Sequence, residues 1–430
     1  MLPVVSSNNQ QEPVPAAAAA IPSVRSASLA LVLLSLLNLL NYFDRLLITV
    51  VAEPVKKHFS LTDTQLGVLT GPAFIVVYIT ATLVFGWLSD RRNRKNIMAA
   101  VLALWSAMTA LSGFAHSYLQ LAIARAGVGI GEGGSNPAAL SLLSSYYPAE
   151  RRGRAIAIFQ SSGMVGILLT FLVGGWIAAE FGWRAAFWVA GLPGILLAIA
   201  FFILVPEPPR SSHSDGAALP LGASLRMLAG NRAYRWIVIG ASLAVISNLG
   251  MMQWLPLFFI RSHGLGLKQI GLFFGPVVAS GMIVGMLLGG SIGDRLAKTS
   301  LSRPLTLAVG AIFLLAPLYW LVLWTPSLAG ALTLTFFATA TSVFYSPSIT
   351  AVMLSVVQPE VRGMAAAVFN FFNGIIGQAL LPLAVGVLSD ALLPEFGQQS
   401  LRYALTIVVS MCLVAALAFV RAQRFTAEIR

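Results

Sequence analysis

The sequence of 430 residues has little charge and almost no cysteine. Asp, Glu, Lys and Arg make up only 10% of it, whereas 57% is hydrophobic, a balance too apolar for a water-soluble protein of this size. Its single cysteine, Cys412, excludes an intrachain disulfide and a cluster of thiol metal ligands. The chain also lacks the Gly-x4-Gly-Lys-Ser/Thr motif of an ATP-driven pump. These absences favour a membrane protein that works without a cofactor.

Histidine is scarce as well. The four histidines, His58, His116, His213 and His263, all fall in predicted loops. A membrane-embedded lipid-modifying enzyme would need a buried catalytic group, such as a histidine beside a carboxylate. The sequence therefore argues against an enzyme and against a metal site.

Long uncharged runs occupy most of the chain. Twelve of them exceed the roughly 18 residues that are needed to cross the hydrocarbon core of a bilayer. They predict an all-α integral membrane protein with twelve transmembrane helices. We expect an N-terminal six-helix bundle at 28–205 and a C-terminal six-helix bundle at 234–421.

Three segments are expected to lie outside the membrane. Residues 1–27 are rich in Pro, Ala and Ser and predict a disordered N-terminal tail, not a cleaved signal. Residues 206–233 are interpreted as a cytoplasmic linker between the bundles, and 422–430 as a cytoplasmic tail.

The net charge of +12 does not indicate nucleic-acid binding, because the positions of the Lys and Arg residues match a membrane topology. If both termini are cytoplasmic, most of the 27 Lys and Arg lie on the cytoplasmic side, as the positive-inside rule requires. Two lie within spans, and six remain on the outer side: Lys56, Lys57, Arg184, Arg261, Lys268 and Arg402. We expect a monomer in a bacterial inner membrane, with the lipid bilayer as its surroundings.

The chain also contains an internal repeat. Seven residues within 65–91 recur as identical residues 204 positions later, within 269–295. Five residues within 137–159 recur 210 positions later, within 347–369. We infer a duplicated six-helix unit, an arrangement typical of transporters whose binding site lies between the two halves.

One of the repeated segments resembles the signature loop of the major facilitator superfamily. The matching residues between the second and third helices are Gly86, Leu88, Asp90, Arg91, Arg94 and Lys95. Asn93 replaces the usual glycine of that loop. The Pro-Glu-Pro-Pro-Arg stretch at 206–210 resembles the end of the family's sixth helix. The resemblance covers roughly 28–421 and implies the major facilitator fold, two pseudo-symmetric six-helix bundles.

A narrower resemblance is to the spinster branch of this superfamily. It rests on Asn-Tyr-Phe-Asp-Arg at 41–45 and on the segment 125–132 with the Asn-Pro that follows it at 136–137. Members of the branch are implicated in export of lysophospholipids and sphingosine phosphates. The resemblance implies a secondary active transporter of an amphipathic, anionic, lipid-like solute that works by alternating access and draws on the proton gradient.

Two other kinds of transport stay open at this point. One is multidrug efflux and the other is transport of small organic anions, both within the same superfamily. The apolar second half argues against a sugar, because a sugar site needs many hydrogen-bonding groups. The Gly-rich run of the fifth helix lacks the proline of the family's antiporter signature, so the direction of coupling stays open too.

Four charged residues lie well inside the predicted spans: Asp44, Arg45, Arg125 and Glu132. A charge left unpaired in hydrocarbon costs roughly 2.5 to 3.5 kcal/mol on insertion scales, so these residues must face one another or water. We interpret Asp44 as a protonation switch and the two arginines as ligands of an anionic head group. Glu132 is interpreted as the group that orients Arg125. The alternative is a purely structural ion-pair cluster between helices 1 and 4.

The second half has no charged residue inside its predicted spans, so one wall of the cavity should be ionic and the other apolar. Such a cavity suits an amphipathic solute. The polar and aromatic residues expected to line it are Asn41, Tyr42, Phe43, Asn136, Asn248, Trp254, Tyr345, Phe369, Asn370 and Asn373. For each aromatic residue, ordinary helix packing is the alternative.

A set of mostly charged residues at the cytoplasmic helix ends, largely repeated in both halves, predicts a gate in which Gly86 permits close helix approach. Its expected members are Gly86, Asp90, Arg91, Arg94, Glu150, Arg152, Asp294, Arg295, Glu360 and Arg362. The family pattern implies that the acidic members hold the halves together while the outer side is open. The alternative is a topology signal, for which the cations alone would suffice.

Overall fold

The computed structural model describes residues 24–208, 220–300 and 302–427, and these residues contain helices and no strands. Nine of the helices in this part of the chain are long and apolar enough to cross a membrane by length and composition. The longest, Pro359–Thr426, turns back at 397–399 and supplies two crossings. The glycine-rich helix Tyr118–Tyr146 and the broken helix at 232–263 complete twelve crossings.

We number the crossings spans 1 to 12 in chain order. Spans 1 to 6 consist of Val24–Val50; Asp63–Thr70 with Pro72–Arg91; Arg94–Ser112; Tyr118–Tyr146; Ala149–Leu169 with Thr170–Gly174 and Gly175–Phe181; and Trp183–Leu204. Spans 7 to 9 consist of Arg232–Ala244 with Val245–Ser247 and Leu249–His263; Leu267–Gln269 with Ile270–Phe274 and Gly275–Ala297; and Arg303–Trp324. Spans 10 to 12 consist of Leu328–Phe344 with Ser346–Ser355; Pro359–Val361 with Arg362–Asn373, Gly374–Leu380 and Leu381–Phe396; and Ser400–Ser410 with Cys412–Ala427. The predicted fold class is confirmed.

Several boundaries differ from the predicted ones. The first helix begins at Val24, not at 28, and the last continues to Ala427, beyond the predicted end at 421. Helices extend past the apolar run because polar residues in their end turns reach the membrane surface. The predicted linker contains a helix, Leu221–Gly230. Residues 1–23 of the predicted tail and 209–219 of the linker lie outside the described residues.

The spans define two faces of the molecule. The terminal face carries the beginning of span 1 and the end of span 12, and the distal face is the opposite one. A short helix, Ala52–Phe59, lies on the distal face between spans 1 and 2.

The two halves pack closely in the distal part of the molecule and diverge toward the terminal face. The repeated glycines of spans 2 and 8 show this: a Cβ atom on Gly67 would lie 2.5 Å from the carbonyl oxygen of Pro382, and one on Gly271 would lie 2.5 Å from that of Phe171. Gly86 and its repeat Gly290, nearer the terminal face, would meet nothing within 4 Å. The space between the halves is therefore open toward the terminal face, and the close helix approach expected at Gly86 is absent in this conformation.

Three of the spans contain π-helical turns: Thr170–Gly174 in span 5, Ile270–Phe274 in span 8 and Gly374–Leu380 in span 11. π-Helical turns are rare in proteins as a whole, and those that occur are often located at functional sites. Those of spans 5 and 8 face each other, with the rings of Phe171 and Phe274 in edge contact at 5.4 Å. These turns lie where the two halves meet.

Span 3 is fixed between spans 4 and 6 by glycines that admit close backbone contact. A Cβ atom on Gly131 of span 4 would lie 2.6 Å from the Cβ of Trp105. One on Gly191 of span 6 would lie 2.5 Å from the backbone oxygen of Ser106 and from the backbone nitrogen of Ala110. Without a strong hydrophobic drive inside a membrane, such close packing is a main source of helix association.

We expect Gly191→Ala to destabilise the protein. Overpacking costs about 1–3 kcal/mol, which outweighs the gain of about 1 kcal/mol in helix propensity. Gly310→Ala is the matched control, because a Cβ atom there would meet nothing within 4 Å. Thermal unfolding in detergent should show a lower Tm for the first variant only, and equal Tm values would contradict the packing argument.

Candidate functional site

Arg45 of span 1 and Glu132 of span 4 form an ion pair inside the membrane region. The Nε and Nη2 atoms of Arg45 donate to Oε2 of Glu132 at 3.0 and 2.9 Å. Nη2 also donates to Oδ1 of Asn41 at 3.3 Å. The Glu132 side chain is fully buried, so the carboxylate end of the pair that joins spans 1 and 4 is shielded from water.

Three aromatic rings surround the same guanidinium group. The centres of the Tyr42, Phe74 and Tyr78 rings lie 5.5, 5.4 and 4.8 Å from Cζ of Arg45. A cation within about 6 Å of a ring centre is attracted by the ring. Phe74 also lies 5.1 Å from Cζ of Arg125, so one ring from span 2 contacts both arginines.

Asp44 and Arg125 are the other two charged residues of this cluster. Nη1 of Arg125 donates to the backbone oxygen of Asp44 at 3.5 Å. Oδ2 of Asp44 accepts a hydrogen bond from Oγ1 of Thr109 on span 3, at 3.1 Å. Both Asp44 and Arg125 are almost completely buried.

The structure pairs Glu132 with Arg45, whereas the sequence analysis expected Glu132 to orient Arg125. The physical reason is distance along the helix. Seven residues separate Arg125 from Glu132 on span 4, a rise of about 10 Å, which is too long for a direct contact although both lie on one face. All four charged residues are nevertheless brought into one cluster.

Several buried polar atoms of this cluster have no hydrogen-bond partner among the described residues. They include Oδ1 of Asp44 and Nε of Arg125. A buried polar atom without a partner is costly, and most such atoms in folded proteins are satisfied by water or a ligand. The cluster therefore has capacity for a further proton or a polar ligand group.

The space between the halves forms a cavity of about 750 Å³. Residues of the first half that line it include Tyr42, Arg45, Phe74 and Arg125. Neither Asp44 nor Glu132 contributes to the lining. The two arginines thus face the cavity, and the two carboxylates lie behind them.

The opposite wall of the cavity, among the described residues, carries no charge. Four methionines line the cavity: Met164 from span 5, Met252 from span 7, and Met282 and Met286 from span 8. Methionine side chains are flexible and polarisable and adapt to irregular apolar ligands. Four of the predicted residues also line the second half's wall: Asn248, Tyr345, Phe369 and Asn373.

Five of the predicted cavity residues lie elsewhere. Asn41 is buried and bonds Arg45, while Phe43 and Trp254 are buried in apolar cores. Asn136 and Asn370 are exposed and do not line the cavity. The reason is the helical period: successive residues point about 100° apart, so Tyr42 faces the cavity while its two neighbours do not.

Sequence reasoning missed three residues of the site, namely Phe74, Tyr78 and Thr109. The first two follow the repeated Gly-Pro at 71–72 on one helix face, which was a usable signal. Thr109 offered no signal, because a single threonine in an apolar run is common in membrane helices.

The gate residues predicted at the terminal face bond within their own halves. Nε of Arg94 donates to Glu207 at 2.8 Å, and Arg152 and Arg362 donate to the carbonyl oxygens of Ser144 and Leu354. Three further members are exposed: Glu150, Arg295 and Glu360. Arg91 lies over the ring of Trp87 at 4.3 Å. The side chains of Asp90 and Asp294 lie outside the described part of the structure.

A different charged cluster joins the halves at the distal face. Arg261 of span 7 donates to both carboxylate oxygens of Asp63 at 2.9 Å and to Glu53 at 3.1 Å. Lys56 pairs with Asp63 as well, and Ser389 of span 11 donates to Asp63 at 2.7 Å. We call Glu53, Lys56, Asp63, Arg261 and Ser389 the distal clamp.

Two further contacts reinforce the closed distal end. The carboxylate of Asp390 on span 11 accepts hydrogen bonds from the backbone nitrogens of Asp63 and Thr64, at 2.9 and 2.8 Å. This places a negative charge at the beginning of span 2, where the helix dipole favours it. Lys268 of span 8 pairs with Glu180 of span 5. The sequence analysis treated these lysines and Arg261 only as outer-side cations, because their partners are distant in sequence.

Comparison with known proteins agrees with this architecture. The family model described as Major Facilitator Superfamily matches residues 34–382. The chain is 31% identical over 398 residues to an MFS-type efflux pump of Mycolicibacterium smegmatis, covering 92% of each protein. It is 27% identical over 439 residues to the sphingosine-1-phosphate transporter SPNS2 of Danio rerio, covering 95% of this chain and 86% of that protein.

A solved structure is similar over nearly the whole chain. It is a bacterial homologue of the human lysosomal transporter spinster, in an inward-facing and unoccupied conformation. The TM-score is 0.85 at 26% sequence identity, covering 95% of this chain and 99% of the other.

We expect Arg261→Gln to favour conformations that are open at the distal face. The substitution leaves the partly buried carboxylates of Asp63 and Glu53 without their cation from the other half. This destabilises the conformation that is closed at the distal face by about 2 kcal/mol, which shifts the equilibrium between closed and open conformations roughly thirtyfold. Distances between spin labels on the distal ends of spans 2 and 7 would measure it. Arg402→Gln is the control, because Arg402 lies on the same face but contacts rings of its own half. Unchanged distances in Arg261→Gln would contradict the clamp.

Proposed function

The chain belongs to the Major Facilitator Superfamily, and on that premise we propose that this membrane transporter carries an amphipathic, anionic, lipid-like solute. The solute class we propose is the lysophospholipid or sphingoid phosphate type. Transport would proceed by alternating access, coupled to protons. Membership of the spinster branch supports a transporter and not an enzyme. The observation that carries the proposal is the division of one cavity into a wall with two arginines and an uncharged wall that presents methionines and amides.

Arg125 is the better placed of the two arginines to bind an anionic head group. Arg45 already gives two hydrogen bonds to Glu132, whereas Arg125 gives one long hydrogen bond to a backbone oxygen and has no partner at Nε among the described residues. A guanidinium binds phosphate or carboxylate through two parallel hydrogen bonds. Arg45, held by its ion pair and three rings, would supply positive potential beside it.

The apolar part of the solute would lie against the second half. The cavity volume of about 750 Å³ falls within the range of roughly 300–1,000 Å³ typical of small-molecule sites. Between spans 5 and 8 its wall is open: Val165, Ile283 and Leu287 line the cavity and yet are 48%, 48% and 68% exposed. A long acyl tail could extend through this opening toward the bilayer.

Proton coupling is proposed to reside in Asp44. Its backbone oxygen accepts a hydrogen bond from Arg125, and its Oδ1 atom has no hydrogen-bond partner among the described residues. With all four groups ionised the cluster is neutral, so protonating Asp44 leaves a net charge of +1 that favours an anion at Arg125. Protonation and head-group binding would then support each other.

The orientation we propose places the terminal face in the cytoplasm of a bacterial inner membrane. The positive-inside distribution of Lys and Arg supports it. The cavity then opens to the cytoplasm, with the distal clamp closing the other side. This is the arrangement expected of one end state of alternating access.

A second candidate function is efflux of hydrophobic drugs. The four methionines of the cavity support it, since flexible methionine-rich surfaces accept varied apolar ligands. The efflux-pump name of the 31% identical relative points the same way. The two candidates differ in their need for a guanidinium in the cavity.

We expect Arg125→Lys to abolish most transport of a solute that bears a phosphate. Lysine keeps the charge but loses the paired hydrogen bonds, and a hydrogen bond to a charged group contributes about 1.5–3 kcal/mol, so uptake should fall at least tenfold. Flux of lysophospholipids, sphingoid phosphates and a neutral hydrophobic dye into proteoliposomes would test it. Equal phosphate-lipid flux in wild type and variant, or flux of the dye alone, would favour the efflux function.

We expect Asp44→Asn to remove the pH dependence of transport. The amide cannot take up a proton, so flux should stay the same across a pH series and should not respond to an imposed pH gradient. Glu150→Gln serves as a control, because Glu150 is an exposed acid at the terminal face. A wild-type pH profile in Asp44→Asn would overturn the assignment of the switch.

A further inference from the structure

Thr109 of span 3 makes an unusual hydrogen bond for a membrane helix. Its hydroxyl donates to the Oδ2 atom of Asp44 on span 1 at 3.1 Å, and the residue is 1% exposed. Threonine in a helix commonly donates to the carbonyl oxygen four residues earlier. Eleven other threonines in the described spans do so: Thr70, Thr80, Thr82, Thr170, Thr333, Thr335, Thr339, Thr341, Thr350, Thr406 and Thr426. Thr109 instead bonds a carboxylate of another helix.

The position of this hydroxyl is held by the packing of span 3. Met108 packs against Gly127 of span 4, and Trp105 packs against Gly131. A Cβ atom on either glycine would lie 2.6 Å from the nearest atom of the facing side chain. On the other side, Gly191 of span 6 contacts the backbone next to Thr109. Span 3 therefore cannot shift to release the hydrogen bond without disturbing both neighbours.

Few other groups act on the Asp44 carboxylate. The charged groups near it are Arg125 and Glu132 on span 4 and Arg45, the next residue on span 1. Arg45 donates its hydrogen bonds to Glu132 and lies over the ring of Tyr78 on span 2. Spans 3, 5, 6 and 7 have no Asp, Glu, His, Lys or Arg away from their ends. The Thr109 hydroxyl is thus the one side-chain hydrogen-bond donor that the described residues give to this carboxylate.

We propose that Thr109 is a positioning residue of the proton switch: its hydroxyl orients the Asp44 carboxylate and stabilises the ionised form, and so sets the pH at which Asp44 takes up a proton. The inference rests on the proposed proton coupling. A hydroxyl that donates to the ionised form favours that form. The proton would come from water and bind at Oδ1, which has no partner among the described residues, while Oδ2 stays bonded to Thr109.

Infrared difference spectroscopy on the full-length protein tests this without a transported substrate. A carboxylic acid C=O band that titrates with pH and disappears in Asp44→Asn reports the protonation of Asp44. Thr109→Val keeps the shape but removes the hydroxyl, so the midpoint of the band should move to higher pH by about one to two units. Thr109→Ser keeps the hydroxyl and should titrate like the wild type. Thr109→Ala provides a second hydroxyl-free variant if the valine variant does not fold.

The outcomes separate this inference from the proposed function. A band that is lost in Asp44→Asn but keeps its midpoint in Thr109→Val and Thr109→Ala overturns the role of Thr109 alone. A titrating band that persists in Asp44→Asn, or no titrating band in the wild type, overturns Asp44 as the switch and both proposals with it. A midpoint that moves equally in the serine and valine variants shows a packing effect and also overturns the role of the hydroxyl. Proteoliposome uptake of a fluorescent lysophospholipid over the same pH series should follow the band.

Discussion

The ion pair between Arg45 and Glu132 is the interaction on which the rest of the site depends. Neither charge is tolerable alone in hydrocarbon, and the pair is satisfied only when spans 1 and 4 lie side by side at one depth. Once they do, the rings of Tyr42, Phe74 and Tyr78 surround the guanidinium, and the next residue, Asp44, is placed behind it. The pair therefore positions the first half's cavity wall, leaving Arg125 to face the cavity with part of its hydrogen-bonding capacity unused.

Duplication supplied two similar bundles, and the two have diverged in charge. The first half holds all four ionised groups of the membrane interior, and the second half presents methionines and amides to the same cavity. The symmetry is kept in the packing: the repeated glycines of spans 2 and 8 both meet the opposite bundle near the distal face and both meet open space near the terminal face. The packing is therefore symmetric between the halves, whereas the cavity lining is not.

The ends of the molecule are closed by different means. The distal clamp uses ion pairs that join span 7 to span 2 and to the short helix Ala52–Phe59, with a hydrogen bond from Ser389 of span 11. The charged terminal residues bond within their own halves in this conformation. In the alternating access that we propose, closing the terminal face would require breaking contacts such as Arg261 with Asp63. The ion pairs of the clamp are partly exposed to water, which keeps their stabilising free energy small enough for substrate binding to offset.

The sequence by itself determined the twelve crossings, the duplicated halves and the four intramembrane charges, since each is a local property of composition or spacing. It also placed Tyr42, Arg45, Arg125, Asn248, Tyr345, Phe369 and Asn373 at the cavity. Tertiary structure alone decided which charge pairs with which, that Thr109 bonds Asp44, and that Arg261 closes the distal face. The physical reason is that these contacts join residues far apart in the chain, and they form only at one rotation and depth of each helix. Hydrophobic periodicity does not determine that rotation or depth for helices that are apolar on nearly every side.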